Sequence, residues 1–472
     1  MNKYKTLLSN TLLISMGTFG SKLLVFFMVR FYTEYLTPSD YSTADLITQT
    51  ANLLFPVISM GITDGVFRFA MDSKADKKSV FTIGVFAILA GSLLFFGIAP
   101  LLGLMEDFGG HVWLIVVYTI ACSFHSLCAQ YIRAVGKTAF FALQGIINTA
   151  LVIVLNICFL TGIVGVRLGM TGYVLSVVLA DSLCTLFIIL KEKLWRTFTL
   201  KPDLSVLKPM LKYSVPLIPS TVFWWITSVS DRYMVNSMIS SQANGIYTVS
   251  YKIPTLLTLV ATIFMQAWQF SAVTESEGDE KEHADFFSLV WRSFQAVMFL
   301  CGSFCIAFCK PAISLLTASD YYTAWKYIPL LAIAMIFTAF VSFTGTVYIV
   351  KKKSGISFLT AFVGAASNIV LNFILIPSAL GVQGAAVATV LSYFIVFVIR
   401  CFNTTKYIPF KLYGGHVAVN TVIITLQAVA MVLEIKGYII IQAVCIVALA
   451  AVNIKFLMGF INKILGSVLR RK

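Results

Sequence analysis

Charge is scarce in this chain, and acid is scarcer than base. Lys and Arg number 35, Asp and Glu 20, and charged residues make up 12% of 472 positions. That is about half the share of a soluble domain, too little to cover a water-facing surface. Histidine is rarer, with four residues, and only His125 falls in the middle of a long apolar stretch. No histidine pair stands with a carboxylate at metal-ligand spacing, which excludes the common hydrolytic zinc patterns. His125 therefore reads as a buried, hydrogen-bonded imidazole and not as a ligand or proton relay. A phosphate-cradling Gly-x-x-x-x-Gly-Lys loop is missing, as is a Gly-x-Ser-x-Gly elbow. The chain reads as a non-enzyme without an ATP site or a bound cofactor. The nine cysteines lie in or beside apolar stretches. Cys301, Cys305 and Cys309 share a helix face but have no His or carboxylate beside them, so they read as small buried residues, with neither metal nor disulfide framework implied.

What is abundant is apolar sequence, 59% of all residues. Runs long enough to cross a bilayer recur from end to end, which makes this an all-α polytopic membrane protein. The expected spans number about fourteen, at roughly 8–31, 43–67, 80–104, 111–132, 139–161, 169–190, 213–239, 246–270, 287–309, 325–350, 355–377, 383–401, 415–434 and 438–460. The first resembles a signal peptide only superficially, because it carries Lys22 and Arg30 and lacks a small-residue cleavage site. The net charge of +15 is explained by inward loops rich in Lys and Arg rather than by a nucleic-acid partner. With the N-terminus inside, those loops collect Lys77 and Lys78, Arg133 and Lys137, then Lys191, Lys193 and Arg196, and later Lys351 to Lys353. Both termini are then cytoplasmic.

Repetition divides the chain. Leu155-Asn156-Ile157 recurs as Leu371-Asn372-Phe373, and Gly169-Met170-Thr171-Gly172 as Gly381-Val382-Gln383-Gly384. The fifth and sixth spans thus return as the eleventh and twelfth. The second span mirrors the eighth: Asp45, Gln49, Asn52, Pro56, Ser59 and Thr63 follow nearly the spacing of Tyr251, Thr255, Thr258, Thr262, Gln266 and Gln269. The expected domains are 1–200 and 201–405, each with six helices, and 406–472 with two further spans and a basic tail. An even repeat relates the halves about an axis along the membrane normal.

The region 213–269 carries the most specific signal. Its two apolar segments are joined by residues 240–245, and they hold Asp231, Arg232 and Lys252 at membrane depth. A charge there costs about 2.5–3.5 kcal/mol on insertion scales. The stripe that begins at Tyr251 is one helical face made of hydrogen-bonding side chains, suited to a wet cavity. Pro216, Pro219 and Pro254 are expected to break these helices. Arg30, Arg232 and Lys252, with Lys22 deeper, form the expected basic cluster, and a fork of donors plus point charges suits phosphate. Trp224, Tyr251, Gln49 and Asn52 complete the candidate substrate-binding set. The nearby acids, Asp45 and Asp231, are the candidates for proton or sodium coupling.

Asp231-Arg232-Tyr233-Met234-Val235, then Gly245-Ile246-Tyr247-Thr248-Val249-Ser250-Tyr251-Lys252-Ile253, resembles the polysaccharide flippase family. The stretch from Gly381 to Thr389 and the basic first span fit it too. These are the Wzx-type and MurJ-like exporters of the group that includes MATE transporters. The resemblance implies two six-helix bundles in a V around a central cavity, with two extra C-terminal helices. It implies undecaprenyl-diphosphate-linked oligosaccharide as cargo, moved from the inner to the outer leaflet of a bacterial plasma membrane for lipopolysaccharide, capsule or exopolysaccharide export. Membrane lipid and a glycan polymerase are the further partners. The alternatives are MATE-like efflux of small molecules, for which an acidic cavity is expected, and a lipid II flippase, which fourteen spans resemble.

Overall fold

Inside a bilayer each backbone N–H and C=O has to be satisfied by the protein itself, and a helix does this within one segment. In the computed structural model, which describes residues 20, 23–72, 75–104, 109–163, 165–274, 280–351 and 353–469, regular structure is helical, with no strand among the described residues. The chain splits into two compact units, Met1–Trp225 and Ile226–Lys472. The first holds α1 (residues 23–35), α2 (Pro38–Ile58), α3 (Ile62–Ala70), α4 (Lys77–Leu102), α5 (Val112–Ala134), α6 (Thr138–Thr161), α7 (Gly169–Glu192) and α8 (Leu207–Ser214). Helix α9 (Ile218–Met238) carries the chain onward. The second unit holds α10 (Ser241–Ser250), α11 (Thr255–Thr274), α12 (Glu280–Ala307), α13 (Cys309–Leu316), α14 (Ile328–Val350), α15 (Ser354–Leu375), α16 (Val382–Thr404), α17 (Gly414–Val432) and α18 (Tyr438–Leu469).

Among the described residues nine helices are long and apolar enough to cross a membrane, or eleven when two bent pairs count as single spans. Helices α9 and α18 lie in two of the remaining three expected stretches; of the first, 8–31, α1 covers residues 23–31, and residues 8–19, 21 and 22 lie outside the described residues. The bent pairs are α2 with α3, at 56°, and α10 with α11, at 43°. They are the second and eighth spans that share a polar stripe, yet their breaks fall at different points. Helix α2 starts early, at Pro38, because Thr37 and Asp40 cap each other's backbone N–H. It runs through Thr48 and ends where Met60 and Gly61 turn left-handed, at φ 52° and 60°. The position matching Thr48 is Pro254, which has no N–H to give. Around it the bonds tighten to Tyr251 N–H on Thr248 and Lys252 N–H on Val249, and the helix restarts at Thr255.

Two local expectations need correction. Residues 240–245 are mostly helix, since the Ser240 hydroxyl accepts from the Ala243 N–H at 3.1 Å and starts α10 at Ser241. Pro216 lies in a short 3₁₀ turn and Pro219 in the first turn of α9. A missing N–H costs nothing in a first turn, so Pro219 breaks nothing, while Pro216 stands between α8 and α9 and Pro254 between α10 and α11.

The repeat survives as packing within each unit. Helix α7 packs against both α5 and α6, and α16 packs against both α14 and α15. Close approach depends on glycine: a Cβ on Gly384 would strike the Leu375 carbonyl, and one on Gly91 of α4 would strike the Ile58 carbonyl of α2. Helices α17 and α18 attach through α12. Gln427 accepts from the Ser303 hydroxyl at 2.7 Å and donates to the Ser303 carbonyl at 3.1 Å, and Asn420 and Asn453 exchange amide bonds at 3.2 and 3.0 Å. Lys310 and Glu434 form an ion pair at 2.5 Å, which holds the Glu434 carboxyl below its usual range.

Gly384→Val should overpack α15 against α16 and lower stability by about 1–3 kcal/mol, seen as a lower melting temperature in detergent. Gly97→Ala, which meets nothing within 4 Å, should melt at or slightly above the wild-type temperature, because Ala is the better helix former.

Candidate functional site

In the second unit polar side chains converge on one carboxylate. Asp231 of α9 is completely buried. Its Oδ2 accepts from the Tyr247 hydroxyl at 2.7 Å, the Tyr251 hydroxyl at 2.5 Å and the Thr389 hydroxyl at 3.2 Å. Its Oδ1 accepts from the Arg232 backbone N–H at 2.9 Å. Tyr247 and Tyr251 are four apart on α10 and its cap, so both hydroxyls reach one oxygen. A buried carboxylate is sustained only by such donors. The layer continues across α15 and α16. Ser230 donates to Asn368 Oδ1 at 2.9 Å, Asn372 donates to the same oxygen at 3.0 Å, and Asn368 donates to the Ser392 hydroxyl at 3.2 Å.

Cations flank this layer. The Arg232 guanidinium lies 4.7 Å above the Tyr251 ring, a cation–π distance, and half-buried Lys252 follows Tyr251 in the chain. One short segment thus joins Asp231, Tyr251, Arg232 and Lys252. The rest of the polar stripe parts from Tyr251. Thr258, Thr262 and Gln269 line a cavity of about 300 Å³ with Thr338 and Ser342 of α14. Thr255 is exposed, and the side chain of Gln266 lies outside the described residues.

In the first unit Asp45 is buried and holds the Gln49 side-chain amide at a long 3.5 Å. The Gln49 carbonyl accepts from the Trp225 indole at 3.1 Å, beside half-buried Trp224, and Asn52 is exposed. Arg30 forms an exposed ion pair with Glu34 one turn on, at 2.6 Å. Lys22 lies outside the described residues. His125 is hydrogen-bonded inside its unit, as its midspan position suggested, but it also meets Asp181.

Sequence reasoning missed Asn368, Thr389, Ser392 and Asp181. The signals were present: Asn368 and Asn372 stand at i and i+4 on an uncharged helix, Thr389 and Ser392 at i and i+3, and Asp181 is a lone acid within a hydrophobic run. Among the described residues no group of three or more His, Cys, Asp or Glu side chains is placed to hold a metal ion.

A family model described as a polysaccharide biosynthesis protein matches residues 27–326. No curated protein matches the chain. Among solved structures, the lipid II flippase MurJ in an inward closed conformation is 16% identical, with 96% of this chain and 100% of that one covered at a TM-score of 0.70. An inward-facing multidrug resistance MATE family transporter of the MOP superfamily is 14% identical, with 82% and 94% covered at 0.65. A MOP superfamily transporter from Pyrococcus furiosus, described as having a binding pocket of reversed polarity, is 15% identical, with 84% and 94% covered at 0.57. At these identities the likeness is one of fold.

Tyr251→Phe removes the shortest bond to Asp231 and leaves the buried carboxylate short of a donor. The variant should lose about 1.5–3 kcal/mol of stability, read as a lower melting temperature in detergent. Thr389→Val, which removes a longer bond to the same oxygen, should lose less.

Proposed function

The chain belongs to the polysaccharide biosynthesis protein family, and we propose that within it this protein is a flippase for undecaprenyl-diphosphate-linked oligosaccharide, the repeat unit of a surface polysaccharide. The cargo would pass from the inner to the outer leaflet of the bacterial plasma membrane by alternating access, with both termini of the chain cytoplasmic and a glycan polymerase receiving the product. The family match carries this reading, and the chemistry of the Asp231 segment supports it.

A pyrophosphate entering a medium of low dielectric needs cations to offset its lost hydration. The proposal assigns Arg232 and Lys252 to it in the second unit, and Arg30 with Lys22 in the first. Trp224, Tyr251, Gln49 and Asn52 would meet the sugars through aromatic faces and hydrogen bonds. Asp231 and Asp45 are assigned to coupling. Asp231 neighbours Arg232 in sequence and holds the hydroxyl of the ring that Arg232 covers. A proton or sodium ion that neutralised Asp231 would therefore alter how strongly Arg232 attracts an anion. By linkage the anion would alter the affinity for the cation by the same factor.

The test is flipping of a labelled undecaprenyl-diphosphate oligosaccharide in proteoliposomes, with lipid II and a small cationic drug as comparison cargoes. Arg232→Ala should slow flipping about 10- to 100-fold, the loss of a charge-assisted contact worth about 1.5–3 kcal/mol, and Arg232→Lys should retain part of the rate. Full activity in an Arg30→Ala, Arg232→Ala double variant would refute the phosphate assignment. A preference for the drug would replace the cargo class with efflux, and a preference for lipid II would change the glycan alone. Imposed pH, sodium and voltage gradients test coupling separately: Asp231→Asn should abolish the response to whichever gradient drives the wild type, and a wild type indifferent to all three would remove the coupling role.

A further inference from the structure

The second buried carboxylate cluster lies wholly within the first unit and is no part of the Asp231 layer. His125 is near the middle of α5, Gln144 and Asn148 are on α6, and Asp181 is near the middle of α7. The His125 Nδ1 stands 3.1 Å from Asp181 Oδ1, and its Nε2 stands 2.8 Å from Gln144 Oε1. Asn148 donates to the same Asp181 oxygen at 2.7 Å, which fixes the carboxylate in place. A carboxylate oxygen and an amide oxygen are both acceptors. With the Gln144 amide in this orientation, a ring that faces one acceptor on each side donates from both nitrogens, as the imidazolium does.

The same residues also accommodate the neutral ring. Half a turn of the Gln144 amide presents its NH₂ to Nε2, which then accepts, while Nδ1–H still donates to Asp181. The Cys184 thiol, 3.4 Å from the Gln144 backbone carbonyl and 3.9 Å from Oε1, tolerates either orientation as a weak donor and weak acceptor. The network thus has two satisfied arrangements that differ by one proton and one amide rotation. With the proton the pair is neutral overall; without it one negative charge stays inside the helices.

We propose that His125, Asp181 and Gln144 form a proton-binding site in the first unit, in which uptake of one proton from water by the imidazole accompanies reversal of the Gln144 amide. The side chains of His125 and Asp181 remain 17% and 11% exposed, so the protein does not seal either of them. The other groups around them are few. From α7 come Asp181, Cys184 and Tyr173; Tyr118 and Cys122 share α5 with the histidine; α6 presents the neutral Gln144 and Asn148. Of the other helices packed on α5, α2 carries Asp45, α3 carries Asp64 and Arg68, and α4 has Lys77 and Lys78 at its start.

A plain helix clamp would be expected in both repeats, and this cluster is not repeated. The correspondence of Gly172 with Gly384 puts Tyr393 at the position of Asp181, and that of Leu155 with Leu371 puts Thr360 at the position of Gln144. Thr360 accepts instead from Arg400, at 3.0 and 2.8 Å. The second unit holds this level with a permanent cation, and the first holds it with an imidazole, a group able to take up and release a proton.

The experiment is nitrogen NMR of the full-length protein, ¹⁵N-labelled at histidine, in lipid nanodiscs at pH 7, with the His125 signals identified by their loss in His125→Gln. The wild type should show both His125 nitrogens protonated. Asp181→Asn should convert this histidine to a neutral ring with one protonated nitrogen, while the signals of His111, His283 and His416 stay in place and report an intact fold. A neutral His125 in the wild type would overturn the proposal, and so would an imidazolium that persists without the carboxylate. Because no cargo takes part, either result leaves the flippase reading untouched.

Discussion

The constraint on which the interior depends is the cost of leaving a charge or a hydrogen-bonding group unpaired where water cannot reach it. Asp231 meets it with three hydroxyls on one oxygen and a backbone N–H on the other. Arg400 meets it with the Thr360 hydroxyl and the Val341 carbonyl, at 2.7 Å for the latter. Asp181 meets it with an imidazole and the Asn148 amide. In each case the partners come from neighbouring helices, so the charge also dictates which helices lie side by side and in what register.

The internal repeat shows how one helical frame was specialised. Both units pack a helix that opens on the same Gly-x-x-Gly spacing against two neighbours, α7 on α5 and α6, α16 on α14 and α15. The residues inside diverge: Gln144 against Thr360, Asp181 against Tyr393. The bent spans diverge in the same way. Pro254 stands where Thr48 continues a helix, and the break it causes leaves Tyr251 at the cap of α10, bonded to Asp231. Asp45 occupies the matching place in an unbroken helix.

In the proposed reading function resides in a few charged side chains on an otherwise apolar frame, and their surroundings differ. Asp231 is sealed, with donors already in place, and suits a site whose occupancy changes a neighbour. Arg232 and Lys252 are half-buried beside it, open enough to meet an anion. Arg30 is exposed and paired with Glu34, so an anion that used it would have to compete with a carboxylate one turn away. The cavity at Thr258, Thr262 and Gln269 presents hydroxyls and an amide, groups that bind water or sugar without charge.

The sequence alone was enough for the membrane class, the helical fold, the repeat and the family. All of these rest on features local in the chain: hydrophobic runs, spacing along a helix and charges that lipid disfavours. Tertiary structure was needed wherever the answer depended on which helices touch. Asn368, Thr389 and Ser392 looked like ordinary small polar residues until α15 and α16 brought them to Asp231. His125 looked like a satisfied core imidazole until α7 brought Asp181 to one of its nitrogens and α6 brought Gln144 to the other. Pro216, Pro219 and Pro254 looked alike until their positions in their helices separated them. Hydropathy reports how far a segment will enter a membrane, and it carries no information about the neighbour that satisfies a buried donor or acceptor, because that neighbour comes from another part of the chain.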